Sequence, residues 1–147
     1  MYLMNYNILV ILMKKVIVIG GGASGIIASL KLATKKYDVY LLERNSFIGK
    51  KLLVTGNGRC NYWNSNIDSK YYYTDNNNIL EKLLSRKDEV FKFLSSLGIY
   101  PRIKNSLYYP YSNEALSVQK IFESQLLNSK VNLITNFKYF IFFVNSK

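Results

Sequence analysis

Lys15-Val16-Ile17-Val18-Ile19-Gly20-Gly21-Gly22-Ala23-Ser24-Gly25 decides the fold of this chain. An apolar, β-branched run ends in a cluster of glycines, and an amphipathic segment follows to about Lys36. That order reads as a buried strand, a tight turn and a helix. Gly20, Gly22 and Gly25 occupy the positions of G-x-G-x-x-G. In that pattern the first glycine makes the turn and the second lets backbone approach a pyrophosphate. The third lets the helix pack close on the strand. The unpaired N–H groups of the helix start, around Ala23, Ser24 and Gly25, and the positive end of its dipole would face the phosphates.

A second strand, Asp38-Val39-Tyr40-Leu41-Leu42-Glu43, comes next. Glu43 follows Gly25 at close to the spacing of about 20 residues at which an acid meets the ribose of a dinucleotide. The glycine pattern alone is weak, but strand, helix, second strand and acid are all present. The second strand is almost continuously apolar and aromatic, as a parallel strand covered on both faces would be. Ile26, Ile27, Leu30 and Ala33 give the first helix one face spaced for packing on a sheet. The expected class is therefore α/β, three-layered around a parallel sheet.

Composition sets the limits. With 147 residues and 49% hydrophobic content the chain is one globular domain's worth. Its single cysteine excludes an internal disulfide framework and a C-x-x-C redox pair. With no histidine, every histidine-based triad, metal site and acid–base pair is excluded, so any chemistry would be carried by a cofactor. No metal site is expected. The net charge is +11, from 20 Lys and Arg against 9 Asp and Glu. The basic residues are dispersed, with no run longer than a pair, so no specific nucleic-acid partner is expected.

Ile8 to Met13 is a short apolar run closed by Lys14-Lys15. Nothing basic precedes it and no small-residue cleavage site follows, so it is a poor secretory signal. It is too short to span a bilayer. Residues 1–12 read as an extension outside the fold, with the domain running from 13 to 147, no membrane partner and a cytoplasmic location.

After Glu43 a simple nicotinamide-binding domain would continue with another helix and strand. Here instead comes Gly49-Lys50-Lys51-Leu52-Leu53-Val54-Thr55-Gly56-Asn57-Gly58-Arg59-Cys60-Asn61, a second glycine-rich loop with three basic residues. Such loops supply N–H donors and flexible φ angles where a ligand comes close, and Arg59 can fork onto phosphate or carboxylate oxygens. Together with the first motif, this stretch resembles the aminoacetone-oxidase-like family of FAD-binding, NAD(P)/FAD-dependent oxidoreductases. Members open with an apolar strand and G-G-G-x-[AS]-G, then carry G-[RK]-K-[LI]-L-x-[ST]-G-x-G-R-C-N. The match holds at Gly49, Lys50, Lys51, Leu52, Leu53, Thr55, Gly56, Gly58, Arg59, Cys60 and Asn61.

The resemblance implies a Rossmann-like domain with FAD as cofactor and NAD(P)H as a candidate electron donor. Gly20, Gly22 and Gly25 would lie at the pyrophosphate, with Ala23 and Ser24 beside them. Glu43 would lie at the adenosine ribose, with Arg44 next to it. Lys50, Lys51, Thr55, Gly56, Asn57, Gly58, Arg59, Cys60 and Asn61 would pass near the pyrophosphate and flavin ring. Cys60 reads as a small packing residue rather than a redox thiol. Tyr62 and Trp63 read as core packing rather than flavin stacking. Family members usually carry Gly-Arg-x-[FY]-Pro-x-Ser where this chain has Ser106-Leu107-Tyr108-Tyr109-Pro110-Tyr111-Ser112, so that arginine's contact is missing.

Further along, Ser65 to Asn78 is a polar, tyrosine-rich loop, with Tyr71-Tyr72-Tyr73 either a binding surface or a partly buried lid. Ile79, Leu80, Leu83 and Leu84 resume helical spacing. Ser85-Arg86-Lys87-Asp88 has the form of a capping box opening a helix that Gly98 stops. Ser112 is placed to cap a helix running through Ala115, Val118, Ile121, Phe122 and Leu126. Val131-Asn132-Leu133-Ile134 reads as a third parallel strand beside the nucleotide-binding one, bringing Asn136 or Phe137 toward the adenine.

Lys138 to Val144 is a further β-prone run. An unpaired edge there would favour self-association. The resemblance covers residues 13 to about 140, while family members continue well beyond. The expectation is therefore an N-terminal part of an FAD-binding domain, incomplete at its C-terminus. The alternatives are a non-catalytic remnant, a half needing a partner chain, and a nicotinamide- or S-adenosylmethionine-binding domain.

Overall fold

The computed structural model describes residues 14–34 and 37–138. Strand β1 (Lys14–Ile19) runs into the glycine turn, helix α1 (Ala23–Ala33) follows, and β2 (Tyr37–Leu42) returns parallel to β1. Lys14 pairs with Tyr37 and Ile19 with Leu42, so the two strands end level with each other. Helix α4 (Ala115–Leu127) leads into β6 (Val131–Ile134), also parallel. The sheet order is β1-β2-β6. The third strand thus lies beside β2 and not, as the sequence reading had it, beside β1. Two successive parallel crossovers carry the chain across the sheet in one direction, and both helices pack into the same core.

One face of the sheet holds the core. Val39 and Leu41 of β2 are fully buried, with Val18, Val131 and Leu133 alongside. Ile26 and Leu30 of α1 and Val118, Phe122 and Leu126 of α4 close over them. Ile48, Cys60, Leu94 and Ile99 belong to the same cluster, so the segments between β2 and α4 share one core with the sheet. On the opposite face Ile17 is 63% and Ile19 56% exposed. Among the described residues the sheet is covered on one side only, and the continuous apolar run of β2 does not correspond to burial on both faces.

The segment between β2 and α4 contains a second sheet that the sequence reading missed. Strands β3 (Trp63–Asn64), β4 (Pro101–Lys104) and β5 (Leu107–Pro110) pair antiparallel in the order β3-β5-β4. Asn105 takes a φ of +57° in the turn between β4 and β5, a conformation asparagine tolerates better than most residues. Phe91 of α3 (Lys87–Ser96) packs against Trp63 and edge-on against Tyr108, at ring separations of 5.5 and 5.6 Å. That packing bears out the reading of Trp63 as a packing residue.

Both sequence-expected helix caps are displaced. Ser85 ends α2 (Asn77–Leu84), its hydroxyl donating to the Lys82 carbonyl, and Arg86 precedes α3 with no side-chain cap. Asp88 and Glu89 compensate in the first turn of α3, favoured there by the helix dipole. Ser112, three residues before α4 begins, accepts from the Glu114 N–H. The first N–H of α4, on Ala115, is taken by the Gly58 carbonyl at 2.7 Å. A distant loop thus does the work assigned to a local side chain. Tyr71, Tyr72 and Tyr73 are all exposed rather than forming a partly buried lid. The run read as an apolar edge strand from Lys138 lies, after that first residue, outside the described residues. No helix among the described residues is long and apolar enough to cross a membrane.

A dinucleotide cradle at the strand ends

The two strand ends and the glycine turn converge on a cavity of about 260 Å³, lined by Gly20, Gly21, Gly22, Glu43, Arg44, Asn45, Lys50 and Lys51. It opens at the carboxyl ends of parallel strands, where ligands of open α/β sheets bind. Gly20 turns the chain with a φ of +99°. A Cβ at Gly25 would lie 2.0 Å from the Gly20 carbonyl oxygen, so α1 rests directly on the turn and no side chain fits between. A Cβ at Gly22 would meet nothing within 4 Å, leaving open space where a ligand can approach the backbone. Gly22 precedes α1 without a side-chain cap and the first turn holds no acid, so no local carboxylate competes for its N–H groups.

Gly21, absent from the sequence-derived site, is the knot of the cradle. Its N–H donates to Glu43 Oε2 at 2.7 Å, and its carbonyl accepts from the Gly49 N–H at 2.6 Å. A Cβ there would stand 2.9 Å from Ile48 Cγ2 and 3.1 Å from Glu43 Oε2. Only glycine lets three segments meet at one backbone unit, but inside a run of three glycines nothing in the sequence singled this one out. Gln119 of α4, 4% exposed, supports the same loop by donating from Nε2 to the Ile48 carbonyl at 3.4 Å.

Glu43 is 7% exposed. Its Oε1 accepts from the Asn45 N–H at 2.7 Å and from the Asn45 amide. Burial pushes the Glu43 pKa up. The Asn45 and Gly21 backbone N–H groups, the Asn45 side chain and the Arg44 charge outweigh it, and the carboxyl is held below its ordinary value. It is a fixed anion among three cations, Arg44, Lys50 and Lys51. Asn45, also missed by the sequence reading, is itself held where the Asn136 N–H donates to its carbonyl at 2.9 Å.

The structure brings Gly20, Gly22, Glu43, Arg44, Lys50 and Lys51 together around the cavity, with Ala23, Ser24 and Gly25 in the adjoining first turn of α1. Phe137 is joined to Glu43 by a backbone hydrogen bond of 2.9 Å but does not line the cavity. Thr55 to Asn61 are not among the residues that line it. A single 3₁₀ turn over Leu52–Val54 separates them from Lys51. The Cys60 N–H then closes on the Thr55 carbonyl at 2.9 Å. The Arg59 guanidinium lies 4.9 Å from the Tyr109 ring centre. Asn61 faces the carbonyls of Trp63 and Tyr108 at 2.9 and 3.1 Å, which sets its amide nitrogen as the donor. Cys60 is buried, and burial pushes its thiol up against a smaller opposite effect of Thr55, so the thiolate is disfavoured.

A parallel sheet, a crowded glycine turn, an open helix start and an acid at the next strand end define a dinucleotide-binding Rossmann domain. The chain belongs to the HI0933-like Rossmann-domain family, whose model matches residues 14–142. It is 37% identical over 127 residues to the 3-dehydro-bile acid delta(4,6)-reductase of Clostridium scindens. That match covers 84% of this chain and 31% of the reductase. It is 31% identical over 70 residues to the ribosomal RNA dihydrouridine synthase of Haemophilus influenzae, covering 48% of this chain and 18% of that enzyme. The chain thus spans under a third of the length of these curated relatives. Among solved structures, Thermovibrio ammonificans THI4 superposes with a TM-score of 0.54 at 19% identity, over 84% of this chain and 38% of that one. That likeness concerns the fold alone.

Proposed function

We propose that this chain forms the FAD-binding part of an oxidoreductase. The observation that carries the reading is the knot at Gly21, where the glycine turn, the ribose-side acid Glu43 and the Gly49–Lys51 loop meet in one backbone unit. A nicotinamide-binding domain needs only the first two of these. The third belongs to the Gly49–Asn61 stretch on which the resemblance to FAD-binding oxidoreductases rests, and relatives named as a reductase and a dihydrouridine synthase agree with a redox role.

The residues fit the group. The Gly20–Gly22 backbone and the start of α1 would hold the pyrophosphate, with Lys50 and Lys51 adding charge. Glu43 would accept from the adenosine ribose and so favour an unphosphorylated ribose over one carrying a 2′-phosphate. Bound FAD would supply the hydride and electron transfer, which ordinary side chains do not carry. NAD(P)H is the electron donor to test first.

Calorimetric titration of the full chain with FAD and with NAD tests this. FAD should bind the more tightly. Gly22→Val should abolish binding with an unchanged circular-dichroism spectrum, because its side chain fills the space at the phosphates. Tighter NAD binding would favour the nicotinamide alternative, and an unaffected Gly22→Val variant would remove the pyrophosphate assignment.

A further inference from the structure

We infer that Asn45 restricts Glu43 to reading a single hydroxyl of the bound ribose rather than its 2′,3′-diol. The inference rests on the nucleotide site proposed above. An ionised carboxylate offers about four acceptor positions on its two oxygens. In this chain three are already taken. Asn45 fills both positions of Oε1, one with its backbone N–H and one with its side-chain amide. Gly21 fills one position of Oε2. One acceptor position remains, on the oxygen shared with the phosphate turn.

The three donors are fixed rather than adventitious. The Gly21 N–H belongs to a turn braced by Gly49 and by α1. The Asn45 backbone is braced by the Asn136 N–H. Glu43 itself is pinned on both sides, its N–H donating to the Ile134 carbonyl and its carbonyl accepting from the Phe137 N–H, each at 2.9 Å. A carboxylate that is 7% exposed and pinned at both backbone groups has little freedom to rotate and present both oxygens to a diol. Two hydroxyls would have to displace the Asn45 amide, leaving its donor unpaired. Asn45 is a positioning residue: it acts on the ligand through Glu43.

The test compares ADP, 2′-deoxy-ADP and 3′-deoxy-ADP by titration of the full chain and of Asn45→Ala. In the native chain one deoxy analogue should bind like ADP and the other about tenfold or more weakly, as for loss of one hydrogen bond to a charged group. In Asn45→Ala, Oε1 regains an acceptor position, and both analogues should then bind more weakly than ADP. A merely structural asparagine would weaken all three ligands by one factor. Comparable losses for both analogues in the native chain, or no loss for either, would overturn the inference while leaving the nucleotide site in place. The native-chain arm stands even if the variant does not fold. Failure of ADP itself to bind would remove the site reading, and the inference with it.

Discussion

At the residue scale the cradle turns on Glu43. The sequence put an acid at the end of β2 and assigned it to a ribose. The structure adds that its charge also ties the glycine turn to the loop after β2. Its pKa lies below the ordinary carboxyl value in the folded chain. A depressed native pKa means that the unfolded chain binds the proton more readily, so the stabilisation is present above the unfolded pKa and lost as pH falls through the native one. Glu43→Gln should therefore cost about 1–3 kcal/mol at neutral pH. The gap between native and variant should close below about pH 4.5, the carboxyl's ordinary value. Urea unfolding of both proteins between pH 7 and pH 3 checks this, and a gap that stays constant would show that the charge does not act. Cys60 is the contrary case: a buried thiol that burial keeps protonated has a packing role, as its sequence context suggested.

At the scale of elements the β1–turn–α1 unit is the most constrained part of the chain. The helix start lies against the turn with no room for one added carbon at Gly25. Gly25→Ala suits helix propensity, so a local view predicts a gain in stability. The 2.0 Å approach to the Gly20 carbonyl predicts a loss, because neither backbone segment can move without breaking the Gly21 hydrogen bonds. We expect a destabilisation of about 1–3 kcal/mol, the usual range for overpacking. A thermal melt compared with that of the native chain decides it, and a raised midpoint would contradict the packing argument. The caps failed as sequence signals for a related reason. Ser85 and Ser112 have the right chemistry, but the Ala115 N–H is claimed from 57 positions away in sequence by Gly58, and Arg86 spans to Glu89 at 2.8 Å.

At the scale of the whole molecule the sheet is asymmetric. One face is sealed by α1 and α4, while Ile17 and Ile19 are exposed on the other and β1 is an edge strand among the described residues. An apolar face beside an open edge favours association between chains. Ile17→Thr together with Ile19→Thr should leave the fold intact, since threonine suits a strand and neither isoleucine is in the core cluster. The double variant should sediment at a lower apparent mass than the native chain at the same concentration. Equal sedimentation of a self-associating native chain and the variant would place the contact elsewhere.

The sequence by itself determined the strand–turn–helix–strand unit, the parallel class of the main sheet, the acid at the end of β2 and the basic loop after it. These are local: glycine sterics, hydrophobic period and residue spacing act over a few turns of chain. Tertiary structure decided the rest. The place of β6 beside β2 depends on the direction of two crossovers, which no periodicity encodes. The small β3-β5-β4 sheet was hidden because its strands are two to four residues long and gain their order from Phe91, Trp63 and Tyr108 packing across the chain. The roles of Gly21 and Asn45 lay beyond the sequence for the same reason. A glycine inside a glycine run and an asparagine in an asparagine-rich chain carry no distinguishing mark until the fold brings both to one buried carboxylate.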